Sequence, residues 1–192
     1  MAMRNDEQGY GSVARTLHWL MALLVIGTIL VAEARGYAPR GSDLKRGLGN
    51  VHYQIGVGIF ILVWIRLAWR LREAEPPITP PLPPWQRTLS HLGSWALYAL
   101  MIALPVLGIL ARQSEGAAVQ FLGWTLPTFI ANDKALSRQL EDVHTFFGNV
   151  MIWLVVLHIA AALYHALVRR DNAVARMVGT AARRSLTARG AE

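Results

Sequence analysis

Four stretches of this chain are apolar for long enough to cross a bilayer, and polar residues fill the gaps between them. They are residues 17–34 (LHWLMALLVIGTILVAEA), 51–71 (VHYQIGVGIFILVWIRLAWRL), 89–110 (LSHLGSWALYALMIALPVLGIL) and 144–168 (HTFFGNVMIWLVVLHIAAALYHALV). A hydrocarbon core about 30 Å thick takes about 20 helical residues to span. Runs apolar on every face, rather than along one stripe, belong to helices surrounded by lipid or protein. The pattern predicts helices over about 14–34, 51–71, 87–110 and 144–168. Pro105 is expected to kink the third near its end. The chain then reads as an all-α membrane protein, a single four-helix transmembrane bundle over residues 1–178 with a basic tail at 179–192.

The breaks carry their own signals. GYAPRGSD (36–43) is turn chemistry, and PPITPPLPP (76–84) is a stiff, extended connector. The longer segment 111–143, with GWTLP and ANDKAL, is expected to hold a short interfacial helix. The first seventeen residues are polar and include Asp6 and Glu7. No small-x-small cleavage pattern follows, so the first apolar run reads as a retained helix.

Composition sharpens this. Hydrophobic residues make up 54% and charged residues 16%, against about 25% charged in soluble domains. There is no cysteine, which excludes disulfides, thiolate-held clusters, covalent CxxCH haem and cysteine nucleophiles. The net charge of +7 comes from Lys and Arg placed between the apolar runs and in the tail. That placement suits membrane flanks, not nucleic acid. Twelve of the Lys and Arg residues lie in the N-terminal segment, the second connector and the tail, against seven in the other two connectors. The bias puts both termini in the cytoplasm. The first connector is itself basic, with Arg35, Arg40, Lys45 and Arg46. Headgroup contact accounts for it; so does a patch that steers an anionic reactant.

Histidine is the chemistry-bearing residue. His18, His52, His144 and His158 lie in or at the edge of the apolar runs, where ionisable groups are costly and mark function. Neutral imidazole is an axial ligand of haem iron. His144 and His158 are fourteen residues apart, which is about 21 Å along a helix and within about 40° of one face. With the termini inside, His52 and His144 meet near the outer side, and His18 and His158 toward the cytoplasm. Four such groups suit two bis-histidine haems, an arrangement for electron transfer rather than oxygen binding. His91, beside Ser90 and Ser94, reads as an interfacial residue. His165 lies on nearly the same face as His158, and periodicity leaves it open as the partner of His18. Gly49, Gly56, Gly58 and Gly148 flank the ligand positions and let helices approach a flat ring, or simply each other.

These motifs together resemble the bacterial cytochrome b561 family, small four-helix cytochromes of the inner membrane. The resemblance covers residues 15–178 and rests on LHWLMALLVI, ARGYAPR, NVHYQIG, WIRLAWRL, PPITPPLP, SHLG with LYALMIALPVLG, VHTFFGNVMIWLVVLHIAAALYH and RDNAVARM. It implies a four-helix bundle enclosing two b haems, with His18, His52, His144 and His158 as iron ligands. It prefers His158 to His165 as a ligand and leaves His165 near the inner haem, where a quinone would hydrogen-bond. Quinone reduction needs protons, and His165 is the catalytic residue expected to supply them. The resemblance implies superoxide:ubiquinone oxidoreductase-like activity, with superoxide or another periplasmic donor outside and ubiquinone as acceptor. An alternative is a haem-bearing membrane anchor for a periplasmic dehydrogenase or hydrogenase partner. A haem-free structural or transport protein is a third reading. The Pro-rich connector departs from some relatives in having no lysine; Arg72 or Arg87 would take that place.

Overall fold

In the computed structural model, which describes residues 2–179, four long helices cross back and forth. They are α1 (Ser12–Tyr37), α2 (Asp43–Arg72), α3 (Pro84–Ser114) and α4 (Lys134–Tyr164). A π-helical turn, His165–Arg169, extends α4, and a short α5 (Ala173–Val178) follows. All four long helices are long and apolar enough to span a membrane. Their outward faces carry large exposed apolar side chains such as Leu23, Leu30, Trp153 and Leu157, as expected where the solvent is lipid. Residues 180–192, nearly all of the expected basic tail, lie outside the described residues.

Two of the long helices, α2 and α4, start where a side chain satisfies the free N–H groups. The Ser42 hydroxyl accepts from the Lys45 amide at 3.1 Å. Asp133 accepts from the Ala135 and Leu136 amides at 2.8 and 3.1 Å. Pro84 occupies the first turn of α3, where its missing N–H costs nothing. Because of these caps α2 and α4 begin well before the apolar runs at 51 and 144. The apolar run marks the lipid-embedded part of a helix; its polar turns beyond the bilayer leave no such mark. α3 continues through Pro105.

The segment 111–143 corrects the expectation of a short interfacial helix. It holds a two-stranded antiparallel hairpin, β1 (Gln120–Phe121) with β2 (Trp124–Thr125), and then the first turns of α4. The hairpin turn puts Leu122 at φ 48° and Gly123 at φ 87°, a pair of left-handed residues that matches right-handed strand twist. Gln54 of α2 clamps it, donating to the Gln120 carbonyl at 3.0 Å and accepting from the Leu122 amide at 3.2 Å. The buried Gln113 ties down the segment that follows, donating to the Pro127 carbonyl at 2.7 Å and accepting from the Phe129 amide at 2.9 Å.

The opposite end of the bundle carries the N-terminal segment, the Pro-rich connector and α5, laced together. Arg4 pairs with Glu73 at 2.8 Å. The Thr79 amide donates to Asn172 at 2.8 Å, and the Arg176 guanidinium donates to the Pro76 carbonyl. The close backbone seams join α1 to α2, α2 to α3 and α3 to α4. α4 forms no such seam with α1 or α2, and it is across these wider gaps that the histidines face one another. An apolar layer of Met21, Val25, Ile59, Val63, Tyr98, Leu100, Met101 and Met151 fills mid-depth. In sequence its members on α1, α2 and α4 lie between the upper and lower histidine levels.

Candidate cofactor sites

At the hairpin end, His52 of α2 faces His144 of α4 with ring centroids 6.0 Å apart and planes at 76°. Both rings are anchored through Nδ1. That of His52 lies 3.1 Å from the Thr28 hydroxyl and 3.4 Å from the Thr28 carbonyl. That of His144 lies 3.0 Å from the Leu104 carbonyl on α3. An Nδ1–H given to an oxygen leaves the Nε2 lone pair for a metal and fixes the ring's direction. Gly108 permits the approach: a Cβ there would stand 3.3 Å from Cε1 of His144. Around the pair lies a cavity of about 420 Å³ whose lining includes Gly56 and Gly148, Arg35 and Arg112, and Glu33, Glu115 and Glu141.

At the other end, His18 of α1 faces His158 of α4, with centroids 6.2 Å apart and planes at 54°. His158 is the most open of the four histidines. Here the neighbour of Nδ1 is different. Nη2 of Arg66 lies 3.1 Å from Nδ1 of His18, and Nε of Arg66 donates to the Tyr98 hydroxyl at 2.9 Å.

The two separations test whether haem fits. Imidazole nitrogens bind a first-row metal at about 2 Å, and the ring centre lies about 1.1 Å further back. Two such rings on opposite sides of one iron therefore have centroids about 6 Å apart, the spacing of both pairs. Two imidazoles are too few for a bare tetrahedral ion, and no group of three or more metal-binding side chains occurs among the described residues. The donor set suits a metal whose remaining positions belong to a macrocycle. The spacing fits a haem at each pair, and at His52 and His144 the oxygen partners of Nδ1 also leave Nε2 free to bind it.

The remaining histidines stand apart. His91 is exposed on α3. His165 opens the π-turn, and its Nδ1 lies 2.6 Å from Oδ2 of Asp171; Nε of Arg169 donates to the same oxygen at 3.0 Å. The Asp171 side chain is fully buried. Burial pushes its pKa up, but hydrogen bonds from His165, the Ala173 amide and Arg169 outweigh this and hold it below the ordinary carboxylate value. Arg169 also reaches Gln86 at 3.2 Å, tying the turn to the start of α3. Sequence reasoning missed Thr28, the Leu104 carbonyl, Gly108 and Asp171. Only Asp171 left a trace, as a carboxylate six residues beyond a histidine at a span's end.

Comparison with known proteins places the chain in a family. Residues 9–180 match the family model described as prokaryotic cytochrome b561. Cytochrome b561 homolog 1 of Escherichia coli K12 is 32% identical over 162 residues, covering 84% of this chain and 92% of the relative. A probable superoxide oxidase CybB of Yersinia pestis is 33% identical over 169 residues, 88% of this chain and 95% of the relative. Cytochrome b562 of Cereibacter sphaeroides is 26% identical over 179 residues, 90% of this chain and 97% of the relative. The chain therefore belongs to the prokaryotic cytochrome b561 family, and it is a multi-pass membrane protein that binds b-type haem and carries electrons across the membrane.

Proposed function

We propose that the chain is a superoxide:ubiquinone oxidoreductase of the bacterial inner membrane, with both termini in the cytoplasm. His52 and His144 hold an outer haem b, and His18 and His158 an inner one. The observation that carries this reading is the pair of facing imidazoles at each end of the bundle, 6.0 and 6.2 Å apart. When bound, the two haems supply one-electron relays between the membrane faces. The name of the Yersinia pestis relative supports superoxide as donor, and the Lys and Arg bias supports the orientation. The balance is simple. Two superoxide anions each lose one electron and leave as O₂; one ubiquinone gains two electrons and two protons and leaves as ubiquinol.

The protein's own groups govern access and protons. At the outer face, Arg40 is exposed and Arg35 lines the cavity at the His52–His144 pair. Arg46 is held by Asp43 and the Gly41 carbonyl, and Lys45 by the Ala38 carbonyl. With Arg46 paired to Asp43, Arg35, Arg40 and Lys45 are the cations that draw superoxide inward. At the cytoplasmic face, His165 is the proton donor to ubiquinone. Asp171 fixes its ring through Nδ1, which directs Nε2 toward the substrate. Arg169, which donates to the same Asp171 oxygen, places a positive charge beside it.

Stopped-flow spectroscopy of the purified protein in lipid tests this. Superoxide should reduce the b-haem bands within the mixing experiment, and added ubiquinone should reoxidise them. Haem bands that superoxide leaves oxidised, together with stable co-purification of a periplasmic dehydrogenase, would make the chain an anchor subunit instead.

A further inference from the structure

The hairpin end carries an apolar surface that the rest of the fold does not use. Residues 117–131 (AAVQFLGWTLPTFIA) hold no charged residue, although they connect two spans. The segment already has an inner face. Val119 is 2% exposed, and its carbonyl accepts from the Leu126 amide at 2.9 Å. Leu122, Trp124 and Phe129 are left outside, at 76%, 80% and 66% exposure. Gln54 and Gln113 fix the backbone around them, so these side chains stay outward. Large apolar groups held outward together mark a surface that something covers.

Two observations say what covers it. The first is depth. Gln54 stands three residues inside the apolar run 51–71 of α2, about 4.5 Å along the helix from its start. Its bonds to Gln120 and Leu122 hold the hairpin turn at the edge of the lipid-embedded zone, not above it. The apolar tip thereby continues the lipid-facing surface of α2, where Val51 and Ile61 are exposed. The second is the edge of the ribbon. A strand edge near lipid must find its hydrogen bonds within the protein. Gln54 meets β1 as a neighbouring strand would: it donates to the Gln120 carbonyl and accepts from the Leu122 amide, on the edge away from β2. Other backbone groups of so short a ribbon still need a polar medium. The fit is therefore to the boundary between headgroups and acyl chains, where tryptophan is enriched, and not to the hydrocarbon core.

We propose that the hairpin is a lipid anchor, with Leu122, Trp124 and Phe129 inserted at the headgroup boundary of the membrane face at that end. The partner is the bilayer, met through apolar contact and not through headgroup charge, since no cation lies between 117 and 131. The anchor sets how deep the His52–His144 level sits, because Gln54 follows His52 by two residues on α2. It does so whichever side of the membrane that end faces.

The chain has no cysteine, so a nitroxide can be attached at one chosen residue. Leu122→Cys and Phe129→Cys are labelled singly, placed one chain to a lipid nanodisc, and read by power-saturation electron paramagnetic resonance. The colliding reagents are oxygen, which enters lipid, and a nickel chelate, which stays in water. Arg40→Cys, in an exposed turn, is the aqueous reference; Leu157→Cys, exposed within the α4 span, is the lipid one. The oxygen-to-nickel collision ratio at positions 122 and 129 should exceed that at 40 several-fold and stay below that at 157. It should be the same in phosphatidylcholine and phosphatidylglycerol. Adding Trp124→Glu should move the ratio at 122 toward the aqueous value. If a label at 122 disturbs the turn, the one at 129 decides. Ratios no higher than at 40 overturn the proposal. So do labels that neither reagent reaches, which would mean that protein covers the hairpin, and insertion that requires phosphatidylglycerol.

Discussion

At the scale of single residues, the site depends on groups that touch the imidazoles from behind. Gly108 is the clearest. Any side chain there crowds His144, which the Leu104 carbonyl already holds from the same helix. Gly108→Ala should lower haem bound at the His52–His144 pair and spare the other pair, seen as a haem-to-protein ratio falling from two toward one. An unchanged ratio and spectrum would show that the ring has room to give. Asp171 has a different signature. Its folded pKa lies below the ordinary value, so its stabilising effect is full above the unfolded pKa of about 3.9. That effect is lost as pH falls through the lower folded value. Asp171→Asn should therefore lower the melting temperature at pH 7 and lower it less below about pH 4. Quinone reduction should fall with it at pH 7, since His165 loses its guide. Equal destabilisation at both pH values would mean that the carboxylate's charge is not what matters.

At the scale of elements, hydropathy reads the lipid-embedded part of each helix and little else. The four spans were legible because each apolar run is unbroken. The extra turns of α2 and α4 were not, since polar helix outside a bilayer resembles loop. The hairpin was hidden for another reason. Its turn uses Leu122 at positive φ, not the asparagine or glycine that advertises such a turn. Gln54, a polar residue within a span, supplies what the turn sequence lacks. Gln54→Ala should speed hydrogen exchange at the Leu122 amide, which donates to that side chain, while amides inside α2 stay protected. Protection retained at Leu122 would mean that strand pairing alone holds the hairpin. The π-turn at His165–Arg169 was also invisible in the sequence, because its register comes from Asp171 and the connector below it.

At the scale of the whole molecule, spacing explains why four histidines form two pairs and not one cluster. Fourteen residues along α4 separate the two levels, and the α2 and α1 histidines each reach only one of them. That much was readable from periodicity. The choice of His158 over His165 was not, since both point nearly the same way. In the structure His158 lies against His18, and His165 turns to Asp171. The apolar layer between the levels keeps the pairs separate.

The most direct measurement is haem content by pyridine haemochrome for the native protein, His52→Ala and His158→Ala. Two haems per chain in the native protein and one in each variant, with different remaining spectra, is the result expected. A native content of one or none, or both variants retaining two, would contradict the assignment of one haem to each histidine pair.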